Sequence, residues 1–276
     1  KKQDSEYFTK KAKELKEAFD KYAWDGKWYY RGTKDSGEKF GSDENEDGKI
    51  FLNPQIWAVM SDIAPKDKVE IAMQSVKDIL FKGNGPLLLY PGYSKPDKYI
   101  GYLSRYAPGR RENAGVYTHA ATWSIWAFAK LKDNEFTYEA FKRLCPIYSG
   151  MEPDKYVAEP YVTPGNIDGP DSPNYGMAGW TWYTGSASWF QKVIVDWLLG
   201  VRTTNEGLVI DPCVPNNWKT FKVKRKFMGK KINLTFINEN NVSGLVKEIK
   251  GEGVVVEGNV IKSVLQDEVN LIVSMG

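Results

Sequence analysis

Residues 179–210, GWTWYTGSASWFQKVIVDWLLGVRTTNEGLVI, contain the transition that decides the fold. The stretch reads as a helix over about 185–199, and after about residue 205 the hydrophobic period changes. VIDP, FKVKRKF, KINLTFIN, GLVKEIK, GVVVEG, NVIKSV and NLIVSM then follow as short β-branched runs punctuated by Gly and Asn. They predict a small antiparallel β-sandwich over 205–276, packed on helices, with the alternating lysines of KVKRK facing solvent. Upstream, residues 5–23 place Phe8, Ala12, Leu15, Ala18, Phe19 and Tyr22 at helical spacing between charges. Further helices are expected at 55–62 after Pro54, at 66–81 with a cap from Asp67 or its neighbours, at about 118–131 and at 135–145.

Between these helices lie long segments, 24–52, 82–117 and 146–182, rich in Gly, Pro and aromatic residues. Helices in a bundle are usually joined by short connections, and irregular segments this long usually carry function. A toroid of helical hairpins with its site built from loops at one end accounts for both features. The fold class is therefore mainly α with C-terminal β: 1–204 helical and 205–276 β. Six helices make half of a twelve-helix double ring.

The rings are numerous (Trp 10, Tyr 16, Phe 12) and suit either the apolar faces of sugars or a large helical core. A formal charge of +3, with both signs interspersed, gives no footprint for nucleic acid. No apolar run reaches membrane-spanning length and no signal peptide opens the chain, whose first residues already read as helix. Cys145 and Cys213 form no disulfide framework pattern, so buried thiols in a reducing, cytoplasmic compartment are expected.

Two stretches carry candidate chemistry. In YAPGRRENAGVYTHAATW (106–123), Arg110, Arg111, Glu112 and Asn113 follow a Pro-Gly turn, and the single histidine, His119, sits at a helix start. Imidazole, helix amides and arginines together suit an oxyanion, although a histidine beside an alanine-rich helix also serves as a structural hydrogen-bonding group. In GWTWYTGSASWF (179–190), Thr184 and Gly185 precede a helix and suit a phosphate oxygen. The alternative is an ordinary cap from Thr184 or Ser186, with Trp180, Trp182 and Trp189 in the core. Glu159, in AEPYVTPG, either orients a hydroxyl or braces its loop. Asp43, Glu44, Glu46 and Asp47 lack calcium-loop spacing, and no P-loop, dinucleotide fingerprint, zinc cluster or serine elbow occurs.

Five segments in order, GSDENEDGKIFLNPQIWAV (41–59), YAPGRRENAGVYTHAATW, AEPYVTPG (158–165), GWTWYTGSASW and GLVIDPCVPNNW (207–218), resemble the C-terminal part of the cellobiose/cellodextrin phosphorylase family. The resemblance implies the latter half of an (α/α)6 barrel followed by a small β domain, and reversible, inverting phosphorolysis of a β-linked gluco-oligosaccharide. Carried over, His119, Thr184 and Gly185 look like phosphate contacts. Tyr106, Arg111, Glu112 and Glu159 look like sugar contacts, with Arg111 standing where some relatives have Lys. The resemblance implies no cofactor beyond phosphate as substrate, no metal, and a homodimer, and the half barrel implies a missing N-terminal portion or a complementary chain. The family's general-acid aspartate lies in a Trp–Asn–Asp-type segment, and no such segment occurs in these residues. The catalytic acid is therefore expected outside this sequence, and Asp25, Asp43 and Asp168 are not nominated in its place.

Overall fold

The computed structural model describes residues 1–242 and 244–276. All six expected helices form: α1 (Lys2–Tyr22), α2 (Leu52–Met60), α3 (Lys66–Ser75), α4 (Thr118–Lys130), α5 (Asn134–Leu144) and, after the one-turn helices α6 (Pro146–Ser149) and α7 (Pro153–Tyr156), α8 (Thr184–Val193). Both α3 and α8 run on into a π-helical turn, Val76–Leu80 and Ile194–Leu198. Each turn is closed by a bond five residues back, Phe81 N–H to the Val76 carbonyl (3.0 Å) and Leu199 N–H to that of Ile194 (2.8 Å). Asp133 caps α5 by accepting from Phe136 N–H. Asp67 does not cap α3, whose N-cap is Pro65: a rigid φ serves there in place of a side-chain acceptor.

Helix α4 is the centre of the helical layer and packs on α2, α5 and α8. Its sequence, THAATWSIWAFAK, is buried on most sides because Ala120, Ala121, Ser124, Ala127 and Ala129 let neighbouring helices come close. Ile56, Met73, Ile125, Phe128 and Val193 continue into Val201, Leu208, Phe227, Leu234 and Val273, so helices and strands share one apolar core. At the other extreme, α1 has no buried residue. Phe19 stacks on Tyr29 (4.5 Å), and Lys68 and Asp20 tie α1 to α3 (2.6 Å), but Phe8, Leu15 and Tyr22 face outward.

The C-terminal strands form two four-stranded sheets. In one, Val254–Glu257, Val260–Val264, Gly207–Ile210 and Val201–Thr204 are antiparallel neighbours. In the other, Thr220–Phe227, Lys230–Ile237, Glu268–Met275 and Val246–Lys250 lie side by side. The expectation of a wholly antiparallel sheet is corrected here, because Lys230–Ile237 and Glu268–Met275 pair in parallel. Alternation sets which face of a strand is buried and is indifferent to strand direction. The parallel register brings Ile232, Leu234 and Phe236 opposite Val269, Leu271 and Val273, all buried. Lys222, Lys224 and Lys226 face solvent as expected, on an edge strand where charge discourages further pairing.

Ion pairs join the strands to the helices. Asp196, in the turn that ends α8, accepts from Arg225 (2.7 Å) and Lys192 (2.8 Å). Asp211 accepts from Lys132 and from Arg202 (2.9 Å), whose guanidinium also lies 4.5 Å from the Trp197 ring. Burial pushes the Asp211 carboxyl up, but the hydrogen bonds and charges of Lys132 and Arg202 outweigh it and hold its pKa below the usual carboxylate value. A depressed pKa stabilises the fold above the unfolded value of about 3.9, and that contribution is lost as pH falls through the lower folded value. Asp211→Asn is therefore expected to cost on the order of 3 kcal/mol at neutral pH. In urea unfolding across pH 2–7 the gap to wild type should close toward the acid end; a constant gap would refute this role.

Candidate functional site

Helices α4 and α8 begin side by side because one extended segment bonds to both. Gly165 accepts from Thr118 N–H (3.0 Å). Thr163 accepts from Tyr183 N–H (3.0 Å), and its hydroxyl donates back to the Tyr183 carbonyl (3.2 Å). Immediately beyond, Val116–Tyr117, Asn166–Ile167 and Ala178–Gly179 form a three-stranded antiparallel ladder. The long segments between helices thus contain short two-residue ladders among their turns.

The N-caps are Tyr117 and Tyr183, and neither supplies a side-chain acceptor. The ordinary-cap alternative for Thr184 and Ser186 is thereby corrected: Thr184 is exposed, and the buried Ser186 hydroxyl has no hydrogen-bond partner among the described residues. The Thr118 hydroxyl is in the same position. The first turns of both helices therefore have no side-chain acceptor, the arrangement that attracts anions. His119, second residue of α4, lies against Gly185, second residue of α8: a Cβ built on Gly185 would stand 3.2 Å from His119 Nδ1. Tyr117 lies parallel to the imidazole (6.3 Å), and Trp123 packs edge-on (5.1 Å). Burial pulls the His119 pKa below its ordinary value. Tyr117 and Tyr183 meet hydroxyl to hydroxyl at 3.4 Å. That bond, then burial, pushes the Tyr117 phenol up to about 12.

Beside this junction, the 106–115 turn is held by a residue to which the sequence assigned no role. Asn113 is fully buried; it accepts from Tyr93 N–H (2.7 Å) and donates to the carbonyls of Tyr93 (2.9 Å) and Tyr106 (2.7 Å). The turn forces Arg111 into left-handed backbone (φ 52°). Its guanidinium lies between two rings, 3.8 Å from Trp180 and 4.8 Å from Tyr106. One carboxylate oxygen of Glu112 is buried without a hydrogen-bond partner, its nearest cation being Arg111 at 4.0 Å. Arg110 reaches buried Asp168 (3.5 Å), which also accepts from Ser172 (2.8 Å). Arg110, Arg111, Asn166, Asp168, Met177 and Trp180 help line a cavity of about 260 Å³.

Trp180 and Trp182 are not core residues, contrary to the packing alternative. They are 61% and 65% exposed and both have left-handed backbone (φ 53° and 62°), whereas Trp189 does pack against the core. Glu159 accepts from the Trp182 indole (3.0 Å); its own backbone N–H, then this indole, hold its carboxyl below the usual value. Glu159 thus braces Trp182. Tyr106, Arg111 and Glu112 belong to one turn, and His119, Thr184 and Gly185 to one helix junction. A larger groove of about 570 Å³, lined by Tyr161, Val162, Trp182, Phe190 and Ile194 among others, is apolar and runs along α8. Among the described residues there is no cluster of three or more His, Cys, Asp or Glu able to hold a metal, no helix long and apolar enough to cross a membrane, and no disulfide, Cys145 and Cys213 both being buried.

The chain is 31% identical over 276 residues to an N,N'-diacetylchitobiose phosphorylase of Vibrio proteolyticus, covering 99% of this chain and 34% of that protein. It is 32% identical to a solabiose phosphorylase of Paenibacillus borealis, covering 89% and 32%. It thus spans about a third of the length of these curated relatives. A solved sialidase shares the fold at a TM-score of 0.58 and 12% identity, over 87% of this chain and 22% of that one. The family described as Glycosyl hydrolase 94 superfamily, catalytic domain, matches residues 1–200, and the chain belongs to that family.

Proposed function

We propose that this chain is the C-terminal portion of an inverting glycoside phosphorylase that converts a β-linked gluco-oligosaccharide and phosphate into α-glucose 1-phosphate and a shortened sugar. The observation that carries this reading is His119 lying against Gly185 where two helix N-termini without side-chain caps meet. Each N-terminus carries about half a positive charge, and an anion there gains from both. The roles are phosphate binding for His119, Thr184 and Gly185, and sugar binding for Tyr106, Arg111 and Glu112. The buried Glu112 oxygen, 4.0 Å from Arg111 and without a hydrogen-bond partner among the described residues, suits a sugar hydroxyl as donor. Glu159 acts one step back, by orienting Trp182.

In a single displacement, one carboxylic acid protonates the leaving glycosidic oxygen while phosphate attacks the anomeric carbon from the opposite face. Holding a charged nucleophile in line is then the task of the residues described above. The acid comes from the part of the enzyme beyond this sequence. The helices through the π turn Ile194–Leu198 form the latter half of an (α/α)6 barrel, and the strands from Val201 onward its β domain, four residues earlier than the sequence period placed the boundary. The outward apolar stripe of α1 and the apolar groove along α8 support this reading, since both suit further helices. The buried thiols support a reducing, cytoplasmic setting.

Denaturing mass spectrometry of the native protein is expected to find this sequence within, or co-purifying with, polypeptide bearing a Trp–Asn–Asp-type segment. That assembly should release α-glucose 1-phosphate only when phosphate is present; sugar release indifferent to phosphate would mean a hydrolase. His119→Ala should lower kcat/KM for phosphate by about 10- to 100-fold, the effect of one charge-assisted hydrogen bond.

His119 is the single histidine of these 276 residues, and a His119→Ala spectrum identifies its imidazole signal in the assembled protein. Its depressed pKa means that folding favours the neutral ring, so this contribution is present above the ordinary pKa and declines as pH falls through it toward the folded value. Phosphate favours the imidazolium, so an NMR titration should show the pKa rising when phosphate is added. An unmoved pKa would remove His119 from the anion site.

A further inference from the structure

Outside the groups already given roles, the exposed rings are not scattered. Tyr102 is 69% exposed, and its ring centre lies 5.6 Å from that of Tyr106, edge to face at 75°. Tyr106 lies 4.8 Å from the Arg111 guanidinium, which lies 3.8 Å from exposed Trp180. A second guanidinium, Arg105, sits 5.6 Å from the Tyr102 ring. Tyr102, Tyr106, Arg111 and Trp180 thus form one continuous ridge whose two ends are exposed aromatics, each with an arginine at one side.

The ridge is built rather than incidental. The 3₁₀ turn Tyr102–Arg105 carrying its outer end is pinned by Ser104, which is buried, donates its one hydroxyl proton to the Gly101 carbonyl (2.8 Å) with the Asp97 carbonyl next nearest (3.1 Å), and accepts from Asp97 N–H (2.8 Å). Asn113 holds Tyr106. At the inner end the Trp180 carbonyl accepts from Gly165 N–H (2.9 Å), in the segment that positions both helix starts. Arg111 and Trp180 both keep left-handed backbone, costly for such side chains.

We infer that this ridge is a track for an oligosaccharide, that Trp180 holds the end every chain engages, and that Tyr102 sets chain-length specificity. The inference rests on the phosphorylase reading and names the substrate class within it: a chain longer than a disaccharide. A sugar has apolar C–H faces and a rim of hydroxyls. Aromatic faces stack on the former, and guanidinium forks with the Glu112 oxygen that has no hydrogen-bond partner bind the latter. A disaccharide would engage only the end next to Arg111 and Glu112. A ring as far out as Tyr102 contributes only when further units are present.

The test is calorimetric binding of β-linked gluco-oligosaccharides of two, three and four units to the assembled native protein. Affinity should rise with length in wild type, Tyr102→Ala should abolish the rise, and Tyr102→Phe should keep it, because the ring and not the hydroxyl is responsible. Trp180→Ala should weaken binding of every length by about tenfold, the scale of a lost ring contact. Equal affinity for all lengths in wild type, or a length dependence untouched by Tyr102→Ala, would overturn the track. So would a ridge that binds no sugar because another polypeptide covers it. Tyr102 is too exposed for its replacement to disrupt the core, so its result stands even if Trp180→Ala fails to fold. The His119 shift on adding phosphate, read in the same samples, reports separately on the phosphorylase reading: a length ladder without that shift keeps the track and removes phosphorolysis.

Discussion

One extended segment, residues 163–165, is hydrogen-bonded to the first turns of two helices, and the rest of the site depends on it. By accepting from Thr118 and Tyr183 it ties the starts of α4 and α8 to one stretch of backbone, and His119 comes to lie against Gly185. That arrangement is affordable because α4 is lined with alanine and serine, and because Gly185 has no side chain to press on His119. The same segment reaches outward, since the Gly165 N–H holds the carbonyls of Gly179 and Trp180. One segment therefore holds both the helix junction and the Trp180 backbone.

Local strain follows the same geography. Arg111, Ala114, Trp180 and Trp182 all have left-handed backbone, and all lie within the two segments that meet at the site. Non-glycine residues in this region cost about 1–3 kcal/mol each and persist only where surroundings over-determine them. Asn113, with bonds to Tyr93 and Tyr106, and Glu159, with its bond to Trp182, are what over-determines them here. The outcome is a guanidinium held between two rings without depending on a flexible stem, a pre-oriented fork for a hydroxyl-rich ligand.

The ionic contacts around Asp196 and Asp211 give the β part a mechanical role. Arg225, from the first long strand, reaches the turn that ends α8, and Lys132, just after α4, reaches Asp211 beside the strands. The helices whose N-termini build the site are thus fastened near their C-termini to the sheets. Removing those contacts should loosen the helix pair at the end opposite the chemistry.

Much of the fold was legible because periodicity reports burial, and burial is what a helix or a strand face needs. Phe128 with Ile125, and Leu234 with Phe236, sit in the core where a 3.6- or two-residue repeat puts them. His119, Thr184 and Gly185 were legible as anion-binding types at helix starts, while their family roles came from resemblance. The sequence by itself determined which residues form helices, which form strands, and which side chains have the chemistry for an anion and a sugar. Only the tertiary structure decided that Lys230–Ile237 and Glu268–Met275 run parallel, that Trp180 and Trp182 stand in solvent, and that Asn113 holds the turn. The reason is physical: residue type and period describe what one segment needs, whereas strand direction, ring exposure and a buried amide's partners depend on which distant segments come to lie beside it.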